Sequence, residues 1–214
     1  MALIQRSETS YSKILTIVQG YFTQRLSEEE VQELIEDQNT GQLRTPEGEL
    51  VTSRVLEKGP NAGLTKYEIR AQELSPSAVI GAEFQQSNYG NNLILKLLDD
   101  DENAFNLQIP TESGFFAQFA KRIPNIDFDK QVTFKLAKSK LDDKPYLFIS
   151  QGGEPIKFAF TKDNPNGCPP PVQKNIKGKT VWVWEDHENF LYELVVKFVN
   201  DLSDNDMEET DVPF

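Results

Sequence analysis

Residues 78–110, AVIGAEFQQSNYGNNLILKLLDDDENAFNLQIP, contain three strand-like segments separated by two turn-like segments. The strand candidates are residues 78–86, 93–99 and 104–110, because they are rich in aliphatic, β-branched and aromatic residues. The intervening SNYGNN and DDDEN are rich in Asn, Asp and Gly, which are typical of turns. Gly81 predicts a bulge or bend in the first strand. The stretch therefore predicts an antiparallel meander of three strands.

The hydrophobic period changes directly after this meander. In TESGFFAQFAKRI (111–123) the aromatic residues recur at helical spacing, and Thr111 is placed to cap the helix. Three further strand candidates follow, at 131–140, 146–150 and 155–160. Short antiparallel strands with one helix between them favour a mainly β fold, specifically an OB-fold-like Greek-key β-barrel. A parallel α/β fold is not expected, because strands and helices do not alternate.

The flanking segments are expected to extend this unit. Ser27 and Glu30 have the spacing of a capping box, so a short helix is predicted there. Residues 39–63 are rich in Gly, Pro, Asn and Thr and are expected to form loops around one short extended stretch. Additional strands are predicted at 13–22, 65–74 and 180–185, and an amphipathic C-terminal helix is predicted at 186–202.

The C-terminal segment DLSDNDMEETDVPF (201–214) has too few apolar residues to bury, so disorder is expected. Residues 1–200 are accordingly expected to form one extended OB-fold domain, followed by a disordered acidic tail at 201–214. The N-terminus lacks the apolar core of a signal peptide, and no uninterrupted apolar run is long enough to span a bilayer. The expected location is cytoplasmic.

The charge of this chain is distributed unevenly along the sequence. The net charge is −12, but residues 185–214 alone hold ten acidic residues and one basic residue. Residues 121–179, in contrast, hold twelve Lys and Arg against six Asp and Glu. A basic middle on the same chain as an acidic end indicates an electrostatic partner for the middle and a separate role for the tail.

The sequence lacks the common motifs of enzymes. The sequence has no phosphate-binding Gly-rich loop of the common types and no Gly-x-Ser-x-Gly elbow. His187 is expected to be an exposed helix-cap residue, and Cys168, with no His nearby in sequence, is expected to be incidental. The acids of DDDEN (99–103) are explained more simply by a hairpin turn than by a metal site. No catalytic residue, metal or cofactor is therefore expected.

Single-stranded nucleic acid is bound by Lys and Arg along the phosphates and by aromatic faces that stack on bases. The sequence interleaves these two residue types. The candidate binding residues are Arg54, Lys58, Lys66, Tyr67, Arg70, Tyr89, Lys135, Lys138, Lys140, Lys144, Tyr146 and Lys157. Phe134, Phe158 and Phe160 share strand faces with aliphatic residues and are assigned to the core instead.

The chain resembles single-stranded DNA-binding proteins. Bacterial members end in a run of Asp followed by Ile-Pro-Phe, and this chain ends in Asp-Val-Pro-Phe. The arrangement TSRVLEKGPNAGLTKYEI, LILKLLDDDENAFNLQIP and FFAQFAKRIPNIDFDKQVTFKL is more similar to the phage-encoded members, in which the acidic tail directly follows an extended OB barrel.

The resemblance implies a non-enzymatic protein that coats single-stranded DNA during replication, recombination and repair. It also implies that the tail recruits a polymerase, primase, helicase or nuclease, with the terminal Phe and its carboxylate seated in a basic-rimmed apolar pocket. The tail residues concerned are Asp206, Glu208, Glu209, Asp211, Val212, Pro213 and Phe214.

Two alternatives stay open: an acidic DNA mimic that inhibits a basic enzyme, and a recombination factor or nuclease, which would need a metal site. Whether copies of the chain form a homo-oligomer is also open.

Overall fold

A computed structural model gives the structure of residues 13–58, 60–88, 90–138 and 144–208, without the side chains of residues 176 and 204–208. The described chain is mainly β. Its first elements are β1 (Lys13–Val18), β2 (Tyr21–Arg25), α1 (Glu28–Gln32), β3 (Ile35–Glu36), β4 (Leu43–Arg44), β5 (Leu50–Val55), β6 (Thr65–Ala71), β7 (Ser77–Ser87), β8 (Gly90–Asp99) and β9 (Ala104–Pro110). The remainder are α2 (Gly114–Ala120), a 3-10 turn (Ile123–Asn125), β10 (Thr133–Lys138), β11 (Pro145–Gln151), β12 (Glu154–Pro155), β13 (Val172–Ile176), β14 (Lys179–Val183) and α3 (Glu185–Glu208).

The predicted meander is confirmed as the hairpins β7–β8 and β8–β9. The register between β7 and β8 shifts between Val79 and Gly81, so the expected bulge is also confirmed. Leu93, Leu95 and Leu97 alternate along β8 and are completely buried, which makes this strand the centre of the core. The acids after Asp99 form the β8–β9 turn, as predicted, with Asp99 Oδ1 accepting from the backbone N–H groups of Asp101 and Asn103.

The meander belongs to a nine-stranded sheet with the order β3-β4-β5-β6-β2-β1-β9-β8-β7. The prediction of a closed barrel is wrong for the described residues, because the sheets stay open. The reason lies at β9, whose second edge pairs in parallel with β1, as in Leu15 opposite Leu107. A strand has two edges only, so β9 has none left with which to close the meander.

The hairpin β10–β11 lies beside the start of the meander. The Leu74 N–H donates to Phe134 O (2.9 Å), and Ser77 exchanges two backbone hydrogen bonds with Val132 (2.9 and 2.8 Å). Phe134, Leu136, Leu147 and Ile149 of the hairpin are all buried in the same core as the meander. The two sheets are therefore joined by one hydrophobic core.

Both predicted helices that cover this core are present, with shifted ends. α2 is capped by Ser113 rather than Thr111, since Ser113 Oγ accepts from the Phe116 N–H (3.3 Å). α3 packs against β7 and α2, and its predicted apolar stripe is confirmed by the buried Leu191, Val195 and Phe198. α3 continues to Glu208, so the first part of the segment predicted to be disordered from residue 201 is helical.

Outside this unit, several sequence predictions need correction. Residues 13–22 form a hairpin rather than one strand, because Gln19 (φ 54°) and Gly20 (φ 81°) adopt a left-handed turn between β1 and β2. The capping box of α1 is confirmed, with Ser27 and Glu30 exchanging both hydrogen bonds. The strand predicted at 180–185 is β14, and it pairs with β13, which the sequence analysis did not predict.

Residues 156–160 do not form the predicted strand. Their backbone is bound by other groups: Arg122 Nε donates to Ile156 O (3.0 Å), Asn125 Nδ2 donates to Lys157 O (3.0 Å), and the Ala159 N–H donates to Lys121 O (2.7 Å). These contacts replace the strand ladder beyond Ile156, whose N–H still donates to Ile149 O (2.8 Å). In the part of the chain that the structure describes, no helix combines the length and apolar character that crossing a membrane requires.

Candidate nucleic-acid interface

The outward face of the β10–β11 hairpin carries an aromatic pair beside a lysine. The antiparallel register places Lys135 opposite Phe148 and Ala137 opposite Tyr146, on the side away from the core. The Tyr146 and Phe148 rings lie 6.1 Å apart between centroids at 44°. Phe148 is 41% exposed. We call these four residues the hairpin face.

Lysines lie on both faces of the β10–β11 hairpin: Lys135 belongs to the hairpin face, whereas Lys138 alternates with it and lies on the face of Leu136. Lys135 pairs with the carboxylate of Glu73, and because both side chains are about half exposed, the pair contributes little to stability. The ammonium group of Lys135 therefore stays accessible to a phosphate. Lys138 ends β10 opposite Pro145, and the exposed Lys144 directly precedes β11. Lys140 lies outside the described residues.

Tyr146 was predicted as a binding residue from the sequence, whereas Phe148 was not. Phe134 is almost completely buried, as predicted, and so are Leu147 and Ile149 on the facing strand. The alternation in YLFIS (146–150) could have predicted the position of Phe148. If Leu147 and Ile149 are buried, residues 146 and 148 lie on the outward face.

A buried arginine holds the segment that follows the hairpin face. The Arg122 guanidinium carbon lies 4.1 Å from the centre of the Phe158 ring, and Arg122 Nη1 donates to Gln118 O (2.8 Å). Burial lowers the pKa of Arg122 to about 10, so this side chain is still charged at neutral pH. Phe158 is accordingly half-buried beneath a cation, and the candidate Lys157 beside it is exposed.

A second basic surface lies on the nine-stranded sheet, where strands β5, β6 and β2 are neighbours. The register sets Arg54 opposite Lys66, Arg25 opposite Glu68 and Thr23 opposite Arg70, so the charged residues share one face. We call the set Arg25, Arg54, Lys66 and Arg70 around Glu68 the arginine face. Tyr21 also borders it, with the Arg70 guanidinium carbon 5.8 Å from its ring centre.

Glu68 is the buried centre of the arginine face. Its side chain is fully buried, and it accepts from Arg54 Nε (2.8 Å) and Arg70 Nη2 (2.9 Å). Burial by itself would raise the pKa of Glu68, but the hydrogen bonds and charges of Arg54 and Arg70 outweigh it, and the pKa is lowered. The carboxylate therefore stays ionised and fixes both guanidinium groups on the sheet.

Some of the predicted binding residues lie apart from the arginine face. Tyr67 lies on the opposite face of β6 from Lys66 and Arg70, since neighbouring residues of a strand alternate. Lys58 is exposed in the turn after β5, beyond the arginine face. Arg25 and Tyr21 were not predicted, because residues 13–22 were expected to form one strand and no local pattern indicates the pairing of β2 with β6.

The β13–β14 hairpin adds a third surface with aromatic and basic residues. Trp182 is 58% exposed opposite Gln173, while Lys174 and Lys179 lie on the other face with Val181. The turn between the strands is formed by Lys177 (φ 51°) and Gly178 (φ 78°). The alternating VWVW pattern was recognised, but its partner strand was not.

Other predicted site residues have no described side chain. Tyr89, which lies between β7 and β8 in the sequence, is outside the described residues. Asp206 and Glu208 belong to the last turns of α3, where side chains are not described. The remaining tail candidates also lie outside the described residues: Glu209, Asp211, Val212, Pro213 and Phe214. The predicted docking role of the tail thus stays a prediction.

Most described candidates therefore fall into two groups, the β10–β11 hairpin with its lysines and the arginine face, whereas Lys58, Tyr67 and Lys157 lie outside both. In comparisons of the chain with protein-family models, with curated proteins and with solved structures, no match was found.

Proposed function

We propose that this chain binds single-stranded DNA without strong sequence preference and performs no catalysis on it. The observation that carries the proposal is the hairpin face, where two neighbouring aromatic rings turn outward beside Lys135. Aromatic faces stack on bases of any sequence, and lysines neutralise the phosphates between them. The arginine face offers a second set of phosphate contacts, because planar guanidinium groups match phosphate oxygens in geometry.

The strand connectivity supports an open, OB-like arrangement for residues 77–151. It comprises the three-stranded meander β7–β8–β9, then α2, then the hairpin β10–β11, whose first strand lies beside the start of β7. In OB folds, oligonucleotides bind across a strand face and the adjoining loops. In this arrangement β10 and β11 are the fourth and fifth strands, so the hairpin face lies next to the loop that joins them.

The acidic C-terminal segment is proposed to dock replication or recombination proteins. The acids of residues 201–211 would attract a basic partner over a distance of about a Debye length. The terminal Val212, Pro213 and Phe214 would add apolar burial and a carboxylate. In the absence of DNA, the acids that follow α3, Glu209 and Asp211, would compete for the protein's own basic faces, because attachment to the same chain gives a high effective concentration.

The test is a binding titration with a labelled single-stranded oligonucleotide at several salt concentrations, with duplex DNA of the same sequence for comparison. We expect tighter binding to the single strand, and a log–log salt slope of about −0.7 for each neutralised phosphate. Binding that is absent at low salt would refute the proposal and would favour the DNA-mimic alternative.

A lysine variant tests the hairpin face in the same assay. Replacing Lys135, Lys138 and Lys140 by Ala should weaken binding and flatten the salt slope by up to about 2, because three phosphate contacts are lost. Unfolding stability should change little, since surface substitutions usually cost within about 0.5 kcal/mol. Alanine at Lys130 and Lys197, which lie outside both basic faces, is the control for loss of charge alone. Unchanged affinity of the lysine variant would mean that the hairpin face does not contact DNA.

A further inference from the structure

The β13–β14 hairpin is a separate two-stranded sheet that belongs to neither the hairpin face nor the arginine face. We call residues 172–183 the ribbon. None of its described side chains is buried, and only Val183 at its base is half-buried. A hairpin of two strands is marginally stable in water by itself, and further strands or a packed face usually support it. The ribbon therefore presents two exposed faces to a ligand.

One face of the ribbon holds the two strands together. The register sets Val172 opposite Val183 and Val181 opposite Lys174, so three valines lie side by side on this face. Side chains that are neighbours across two strands stabilise the strand pair, and β-branched residues do so well. The valines are therefore accounted for by the stability of the ribbon itself, and the opposite face is left for another role.

The opposite face carries an exposed tryptophan among polar residues. Trp182 lies opposite Gln173, and Thr180 lies opposite Asn175, so amide and hydroxyl groups share this face with the indole. Trp182 is 58% exposed, and its ring contacts no other aromatic ring within the described residues. A large aromatic face in water, beside groups that form hydrogen bonds, is suited to stack on a base.

The second tryptophan of the chain, Trp184, has a different environment. Its ring packs edge-on against His187, with the centroids 5.5 Å apart at 81°. His187 is not the exposed helix cap that the sequence predicted, because it is half-buried, its Nδ1 donates to Pro169 O (2.9 Å), and Cys168 Sγ lies 3.3 Å from the same nitrogen. Trp184 therefore fixes the base of the ribbon to α3, whereas Trp182 is left for a ligand.

The charge of the ribbon indicates an anionic ligand. Lys174, Lys177 and Lys179 are its only charged residues, although the net charge of the whole chain is −12. Within the part of the chain that the structure describes, none of the three forms an ion pair. Like charges on neighbouring strands repel each other, so a bound anion would relieve an unfavourable interaction.

The lysines and Trp182 can act on the same ligand although they do not share one face. Lys174 and Lys179 lie on the face of the valines, and Lys177 lies in the turn. The two strands are only about 5 Å apart, so the ribbon is narrow. Each lysine carries its ammonium group on a flexible four-carbon stem. A phosphate at the edge of the ribbon is therefore within reach of these ammonium groups while a base lies on Trp182.

We propose that the ribbon is a further contact for the bound single strand, in which Trp182 stacks on one base and the three lysines neutralise neighbouring phosphates. The inference rests on the proposed function, because the ligand is the strand that crosses the hairpin face. Nucleic acid supplies both flat rings and regularly spaced anions, whereas an acidic surface on a second copy of the chain supplies the anions alone. Stacking tolerates every base, so the contact adds affinity without sequence preference.

The experiment uses the fact that the chain has two tryptophans, Trp182 and Trp184. In Trp184→Phe, Trp182 is the only source of tryptophan fluorescence. We expect an oligonucleotide of about 20 nucleotides, longer than the roughly 4–16 that one OB fold covers, to quench this emission and to protect it from acrylamide. Trp182→Phe, in which only Trp184 emits, is the matched control and should show no quenching.

Affinity and salt dependence test the two parts of the contact separately. Trp182→Ala should weaken binding of the same oligonucleotide roughly 5- to 150-fold in fluorescence anisotropy and leave the salt slope unchanged. Trp182→Phe should retain most of the affinity, because it keeps an aromatic face. Replacing Lys174, Lys177 and Lys179 by Ala should instead flatten the log–log salt slope by up to about 2.

The outcomes separate this inference from the proposed function. If the oligonucleotide binds by anisotropy but Trp182 emission does not change, or Trp182→Ala binds equally well, the ribbon inference is wrong and the proposed function stands. If the ribbon variants keep their DNA affinity but change the sedimentation coefficient, the ribbon binds a second copy of the chain, and the inference is again wrong. If no oligonucleotide binds at low salt, the proposed function is wrong and the inference is wrong with it. The emission of the unmodified protein also contains the Trp182 signal, so the test stays decisive even if Trp184→Phe does not fold.

Discussion

Replacing Phe148 by Ala is expected to weaken binding to single-stranded DNA without unfolding the protein. Stacking of a base on an aromatic side chain contributes about 1–3 kcal/mol, which corresponds to roughly 5- to 150-fold in affinity. Phe148 is 41% exposed on the hairpin face, so its removal deletes little core packing. The log–log salt slope should stay unchanged, because no charge is removed.

Leu147 is the matched control for this substitution. It precedes Phe148 in β11 and is completely buried on the other face. Leu147→Ala should lower the free energy of unfolding by about 2–5 kcal/mol through the cavity it leaves. The two neighbouring positions thus separate binding from stability. Fluorescence anisotropy with a labelled oligonucleotide measures the first, and denaturant unfolding measures the second.

Tyr146→Ala provides a further check through a double-mutant cycle. Because the Tyr146 and Phe148 rings are 6.1 Å apart and in mutual contact, one ring positions the other. The loss of binding free energy in the double variant should therefore differ from the sum of the two single losses. We expect a coupling free energy between the two rings of at least about 0.5 kcal/mol, of either sign. An affinity of Phe148→Ala equal to that of the unmodified protein would refute the role of the hairpin face as a stacking surface.

Three other perturbations test different parts of the molecule. Glu68→Gln should flatten the dependence of unfolding stability on pH in the acid range. The lowered pKa of Glu68 contributes stability above its unfolded pKa of about 4.3, and this is lost as the pH falls through the folded pKa, which thermal melts from pH 7 downwards would measure. Gly20→Ala should destabilise the protein by about 1–2 kcal/mol in denaturant unfolding, because φ is +81° and the new Cβ would stand 3.3 Å from Pro145 Cβ. Deleting 209–214, beyond the end of α3, should raise affinity for single strands most at low salt, whereas removing Phe214 alone should reduce capture of replication proteins in pull-downs and barely change DNA affinity. Pull-downs that are insensitive to Phe214, together with unchanged DNA affinity after the deletion, would make the segment a solubility feature.

The elements that the sequence predicted well have strong local patterns. The β10–β11 hairpin alternates apolar and polar residues with the period of a strand, and the apolar stripe of α3 has the period of a helix. In the meander, short apolar runs are bounded by the turn residues of SNYGNN and DDDEN, so local and tertiary preferences coincide. For this reason Tyr146 could be placed on an outward face from the sequence alone.

The elements that were predicted poorly depend on contacts between distant residues. The parallel pairing of β1 with β9 joins residues about ninety positions apart, and no local pattern encodes it. In the same way, the ladder expected at 155–160 is replaced by hydrogen bonds from Arg122 and Asn125 to the backbone. The burial of Glu68 is not encoded locally either, because only the two arginines that cover it make its burial favourable.

Glu68 also explains how a chain with a net charge of −12 can present a basic surface. One buried carboxylate among Arg25, Arg54, Lys66 and Arg70 leaves an excess of positive charge on the arginine face. The contact with Arg54 uses Nε, and a guanidinium group has further N–H donors that can bind a phosphate. Because Glu68 already restricts the rotamers of Arg54 and Arg70, less conformational entropy is lost when a strand binds. The Glu68 carboxylate therefore cancels one positive charge of the arginine face but orders the guanidinium groups of Arg54 and Arg70. Most acidic residues of the C-terminal thirty residues lie on a separate element, α3, or follow it in the sequence.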